Sequence, residues 1–205
     1  MLDLFVSAFV SLFVVIDPPG CGPIFASLTT GVGAAQARSM ALRATFIASL
    51  ILLVFALFGE QLLAALHIEL DAFRVAGGIM LFLIALEMVF EKRTQRREAR
   101  TEKVRASPEI EDVAVFPMAI PTLAGPGSIA TIMLLMARAE GTQATLIVLA
   151  ALASVMLLSL FALLAAVPIM KLLGAQTEAV ITRLLGVLLG ALAAQYVLDG
   201  LKAAL

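Results

Sequence analysis

The stretch "FVVIDPPGCGPIF", Phe13–Phe25, decides how this chain is read. Seven of its residues, Asp17 to Pro23, include three prolines, two glycines and an aspartate, and apolar sequence lies on both sides. An interior proline removes a backbone donor and clashes with the carbonyl one turn back, so a helix is interrupted here. In water the freed backbone groups would be solvated. In lipid they must find partners within the protein or line a cavity.

The surroundings say which solvent applies. The chain has 205 residues, 62% of them hydrophobic, with a mean hydropathy of +1.08. Soluble domains average about 45–50% apolar, and a soluble chain of this size could not bury the excess. Several runs reach the ~20 residues a bilayer crossing requires. Six spans are expected, over about 2–28, 41–66, 72–90, 113–136, 144–170 and 180–198, with Pro168 near the end of the fifth. The first contains the break already quoted, and the fourth is broken at "IPTLAGPG". The N-terminus lacks a basic region and a small-residue cleavage motif, so it reads as a retained helix and not a signal peptide.

Charge is concentrated. Seven of the fourteen basic residues fall between Lys92 and Arg105, in a linker over 92–112. If that linker is cytoplasmic, the inner loops hold eleven basic residues and the outer segments only Arg74, Arg138 and Lys202. The positive-inside rule then puts both termini outside. The lone cysteine, Cys21, excludes an intrachain disulfide, and the single histidine, His67, leaves no Cys/His cluster for a metal. His67 falls at the outer edge of the second span, which gives an intramembrane serine protease no histidine at depth. No ATP-binding motif is present, and nothing points to a nucleic-acid partner. The sequence sets no oligomeric state.

The break has a partner. Phe13-x4-Pro18-x3-Gly22-Pro23 repeats as Phe116-x4-Pro121-x3-Gly125-Pro126, each pair 103 residues apart. "FAL" recurs at Phe55–Leu57 and Phe161–Leu163, and Arg74-x2-Gly77 recurs as Arg183-x2-Gly186. The order of matches implies an internal duplication: a first repeat over 1–91, the charged linker over 92–112, and a second repeat over 113–205. Each repeat holds three spans, an odd number, so the second enters the membrane from the opposite side. The expected fold is an all-α integral membrane protein of six helices, two inverted three-helix repeats with helices 1 and 4 broken by Pro/Gly. Inverted repeats with broken helices at matching positions are the sequence pointer to a secondary transporter, the alternative being a channel or exporter of other small solutes, since a channel can also use two half-helices.

A broken helix exposes carbonyls on its first half and amides on its second, with partial positive charge at the amide end. The amide end suits a carboxylate and the carbonyl end a cation, so together they suit a zwitterion. The candidate binding residues are Pro18, Gly20, Cys21, Gly22 and Pro23 in the first break, and Gly125, Pro126, Gly127 and Ser128 in the second. Ser27, Thr29, Thr30, Thr122 and Thr131 supply nearby hydroxyls. Asp17 reads either as a proton or cation site or as a helix cap. Glu60 and Glu87 are further coupling candidates if they lie deep, and interfacial residues if they do not. Asp199 reads as interfacial. Gly77, Gly78, Gly186 and Gly190 mark close packing of the third span in each repeat.

"DPPGCGPIFASLT", "FRVAGGIMLFLIALEMV" and "PMAIPTLAGPGSIATI" together resemble the MarC family of bacterial inner-membrane proteins, which includes small neutral amino acid transporters of the SnatA type. The resemblance covers nearly the whole chain. It implies a multi-pass protein of the bacterial inner membrane whose partners are membrane lipid and a small neutral amino acid of the glycine, alanine or serine type. Transport would use no cofactor and would draw on a proton or sodium gradient. One departure is visible. The family's first break commonly reads D-P-x-G-N-x-P-x-F, whereas here Cys21 replaces the asparagine and Gly22 the usual aliphatic residue. The side-chain amide at that position is therefore absent.

Overall fold

The computed structural model describes residues 1–90 and 113–204, apart from the side chains of 167–178. The charged linker lies outside the described residues. Those that are described form helices and short connections: α1 (Leu2–Ile16), α2 (Pro18–Leu28), α3 (Ala34–Ala65), α4 (Leu70–Val89), an irregular helical segment α5 (Ala114–Leu123), α6 (Pro126–Ala137), α7 (Gly141–Leu164) and α8 (Ala166–Ala204). Among the described residues five spans are long and apolar enough to cross a membrane, α1 and α2 together forming the first, and there are six if the bent α5–α6 pair counts as one span. At ~1.5 Å per residue, the 32 residues of α3 extend about 48 Å. That exceeds a hydrocarbon core of about 30 Å, so α3 tilts or projects.

The largest boundary difference from the sequence expectation, which runs the fifth span to about Met170 and puts a loop before Val180, lies between α7 and α8. Instead α7 ends at Leu164, and α8 runs unbroken from Ala166 to Ala204. Pro168 falls in the first turn of α8, where a missing N–H costs nothing. The "KLLGAQTEAV" that follows consists mostly of good helix formers, so nothing stops the helix.

α6 is the hub. It packs against α1, α3, α4 and α7, and Ala130 to Leu135 are all buried. One apolar core joins α1, α2, α3, α5, α6 and α7. A second, containing Val14, Val15, Leu81, Leu134, Leu189 and Tyr196, joins α1, α4, α6 and α8. The helix pair α4–α8 makes the most extensive contact and is antiparallel. A Cβ on Gly186 would lie 2.8 Å from the Met88 Cβ, one on Gly78 would lie 2.8 Å from the Ala193 carbonyl oxygen, and one on Gly200 would lie 2.9 Å from the Asp71 carbonyl oxygen. Lipid offers helices no hydrophobic drive to associate, so such close approach at small residues supplies the contact energy. The outward faces stay apolar: Phe46, Phe58, Phe161 and Leu184 are all at least 60% exposed, as a bilayer-facing surface requires.

The register of α4 against α8 places the start of α4, the end of α6 and the end of α8 at one end of the bundle. This is the termini end. The α2–α3 and α7–α8 connections lie at the other, the linker end.

Candidate functional site

The two proline-rich segments have matching sequences and different local structures. In the first, the chain turns at one residue. Asp17 adopts the left-handed conformation, φ 59 and ψ 63, between α1 and α2. A residue before proline is disfavoured in the right-handed helical region, and aspartate tolerates the left-handed one better than most side chains. Pro18 and Pro19 then occupy the first positions of α2, where their fixed φ suits a helix. Gly20, Cys21, Gly22 and Pro23 all lie inside α2. Asp17, and neither glycine, carries the left-handed backbone angles of this segment.

The amides of this segment are already engaged. Gly20 N–H donates to Asp17 Oδ1 at 3.2 Å, and Cys21 N–H donates to the Asp17 carbonyl at 3.1 Å. The Cys21 thiol donates to the Ile16 carbonyl at 3.5 Å. Asp17 is fully buried and caps α2, which is the second of its two sequence readings. The reading of Gly20 and Cys21 as donors of free amides is thus corrected. At the end of α1, Pro18 supplies no N–H to Val14 one turn back.

The second segment is interrupted over a longer stretch. Pro117 and Pro121 remove donors from two successive turns, and Phe116, Ile120 and Pro121 depart from helical angles. The remaining bonds are widened. Met118 N–H reaches the Val113 carbonyl at 3.4 Å and Ala124 N–H the Ala119 carbonyl at 2.9 Å, while the Thr122 hydroxyl donates to the Pro117 carbonyl at 2.7 Å. α5 and α6 meet at a 52° bend. Gly125 caps α6 in an extended conformation and Pro126 takes its first position. A Cβ on Gly125 would lie 2.5 Å from the Pro121 carbonyl oxygen, so glycine is required. Ile129 N–H closes the first helical bond, to the Gly125 carbonyl. The amides of Gly127 and Ser128 therefore lie ahead of the helical ladder, and no side chain caps them.

The two segments touch. A Cβ on Gly127 would lie 3.2 Å from Val15 Cγ1, two residues before Asp17, and 2.6 Å from Ile84 Cδ1. The start of α6 is thus wedged between α1 and α4, its amides close to the carbonyl end of α1. Ser128 is 3% exposed, and Thr131, one turn on, is fully buried with no hydrogen-bond partner for its hydroxyl.

Open space lies elsewhere. A cavity of about 600 Å³ at the linker end is lined by Phe25, Thr29, Arg38, Leu163 and Ala166, among others. Ala166 also packs against Gly22, whose Cβ would stand 3.9 Å from the Ala166 Cα and 3.5 Å from the Ala162 carbonyl oxygen. The cavity thus approaches the first proline segment along α2, but Asp17 and Gly125–Ser128 do not line it. Thr29 turns its hydroxyl to the Phe25 carbonyl at 2.8 Å. Glu60 is exposed on α3 among Leu57, Phe58 and Leu62, and Glu87 is half-buried in the last turn of α4. Neither lines the cavity. No group of three or more His, Cys, Asp or Glu side chains suited to a metal occurs among the described residues.

A model of MarC family integral membrane proteins matches residues 2–205. The chain belongs to the MarC family. It is 36% identical over 204 residues to a UPF0056 membrane protein of Methanocaldococcus jannaschii, covering 100% of this chain and 98% of the relative. It is 36% identical to the UPF0056 membrane protein YvbG of Bacillus subtilis, with 98% and 96% covered. It is 34% identical to the UPF0056 inner membrane protein YhgN of Escherichia coli K12, with 96% and 95% covered. No solved structure matches. The chain is therefore a MarC-family integral membrane protein with multiple apolar helices.

Sequence reasoning missed one cluster of this MarC protein. At the termini end, Arg138 pairs with Asp199 at 2.5 Å, Gln195 donates to the same carboxylate at 2.6 Å, and the Arg138 guanidinium lies 4.8 Å from the centre of the Tyr196 ring. Arg138 and Asp199 are 61 residues apart, and no local pattern joins them. The one available signal was Tyr196 itself, the sole tyrosine, in an apolar helix where its hydroxyl needs a partner.

Proposed function

We propose that this protein is a secondary transporter of small neutral amino acids in the bacterial inner membrane, built as two inverted three-helix repeats and working by alternating access where its two proline-broken segments meet. Both termini lie outside in this reading. The observation that carries it is the wedge of Gly127 against Val15. It sets uncapped amides of one segment beside the carbonyl end of the other, a pair of partial charges suited to a carboxylate and an ammonium group. The antiparallel α4–α8 pair supports the inversion, because these are the third helices of the two sequence repeats. The cavity beside Ala166 supplies an approach from the linker end, with Arg38 at its wall as a contact for a carboxylate.

In this mechanism the Gly127 and Ser128 amides hold the carboxylate, the α1 carbonyl end holds the ammonium group, and Asp17 fixes the angle between α1 and α2. The substrate class fits the lack of space around Gly127. Uptake of labelled glycine, alanine and serine into proteoliposomes, with and without proton or sodium gradients, tests the proposal. Saturable, gradient-stimulated flux of at least one of them is expected, and no flux of any would overturn it.

A further inference from the structure

The two ends of the bundle differ, and the difference lies apart from the proline segments. The linker end holds an open cavity along α2, α7 and the start of α8. At the termini end a polar cluster, and not plain apolar packing, joins α6 to α8. Arg138, which caps the end of α6, pairs with Asp199 of α8, and Gln195 one turn back holds the second carboxylate oxygen. The guanidinium covers the ring of Tyr196. Tyr196 is 1% exposed and lies near Ser11 of α1. Beneath it lie Val14, Val15 and Leu134, the residues between this end and Gly127. A second ion pair, Arg74–Asp71 at 2.8 Å, sits on α4 against Gly200, next to Asp199.

This arrangement joins the helix that begins at the second proline segment to the helix that ends the chain. α6 is 12 residues long, so it behaves as a short rod with Gly127 near one end and Arg138 at the other. Movement of its start away from Val15 can thereby be transmitted to Arg138 and its pair with Asp199. The ion pair is about a third exposed, so water can compete for it and its loss costs little. An apolar plug in the same place would have no such release.

We propose that Arg138, Tyr196 and Asp199 form the gate at the termini end, and that parting of the Arg138–Asp199 pair opens a path to the proline segments. The inference rests on the transporter reading and adds which conformation is seen: closed at the termini end and open at the linker end.

Native Cys21, the only thiol in the chain and fully buried beside the first segment, reports opening without any transport assay. In oriented vesicles a membrane-impermeant maleimide is applied from the termini side. Wild type should label slowly. Loss of a partly exposed ion pair in D199N should raise the rate about threefold. R138Q also loses the contact with the Tyr196 ring, so its rate should rise about tenfold. The exchanged pair R138D/D199R should return towards the wild-type rate. Unchanged labelling in both single variants, with the protein monodisperse and melting normally, would overturn the gate. So would an equal rise from both sides, which would mean general loosening. Should either single variant fail to fold, R138C/D199C in a C21S chain provides a second route. Bridging the pair with a bifunctional methanethiosulfonate should abolish exchange, and a reductant should restore it; full exchange while bridged would overturn the proposal. Absence of flux in wild type, with labelling as expected, would count against the transporter reading and leave the gate standing.

Discussion

Gly22 and Gly125 occupy the same position in the two sequence repeats, yet alanine should affect them in opposite directions. A Cβ on Gly125 would lie 2.5 Å from the Pro121 carbonyl oxygen, well inside contact distance and against backbone that cannot swing aside. Either α5 or the start of α6 must move. Overpacking of this kind costs about 1–3 kcal/mol. A Cβ on Gly22 would meet the Ala162 carbonyl oxygen at 3.5 Å and the Ala166 Cα at 3.9 Å, which is ordinary contact. Gly22 lies within α2, where alanine is favoured over glycine by up to about 1 kcal/mol. The two variants should therefore differ in stability by about 1–4 kcal/mol, the sum of these ranges. Thermal unfolding in mild detergent, followed by circular dichroism, measures it. For chains of about 150–250 residues each kcal/mol moves the midpoint by roughly 2–4 °C, so the separation is readily resolved. G22A should match or exceed wild type and G125A should melt several degrees lower. Equal destabilisation of both would refute the assignment of different local structures to the matched segments.

The α4–α8 interface predicts a second contrast: G78A should cost about 1–3 kcal/mol because its Cβ meets the Ala193 carbonyl oxygen at 2.8 Å. G190A, whose Cβ would stand 3.7 Å from that of Ala85, should be neutral or slightly stabilising in the same melts. Replacing Thr131 by valine should not destabilise, because its buried hydroxyl has no partner to lose. T122V should lose about 1 kcal/mol with its bond to the Pro117 carbonyl. At Asp17, D17N keeps a capping oxygen and tolerance of the left-handed conformation, whereas D17A loses both; D17A should be the less stable by about 1–3 kcal/mol in detergent melts.

The spans were legible because apolar runs of bilayer length seldom arise outside a membrane, and the small-residue helix faces were legible from Gly78 and Gly186. The position of the first turn was not. Three prolines and two glycines draw attention to the glycines, but a prolyl residue acts on the one before it, so the turn falls on Asp17. Once Asp17 caps α2, the amides of Gly20 and Cys21 are engaged, and only side-chain geometry shows this. The α7–α8 boundary was not legible either, because Pro168 reads as a terminator in an apolar run, although in a first helical turn it is an initiator. The Arg138–Tyr196–Asp199 cluster depends on how α6 and α8 meet across 61 residues of sequence, and beyond the lone Tyr196 in an apolar helix a single sequence does not show it.

Counterflow tests most directly whether the two proline segments bind substrate alternately from the two sides of the membrane. Proteoliposomes loaded with unlabelled alanine, glycine or serine and diluted into the labelled amino acid should accumulate label transiently above its equilibrium level, and G125A should abolish the overshoot. Label that enters at the same rate whether or not the vesicles are preloaded would contradict alternating access and identify a passive pore.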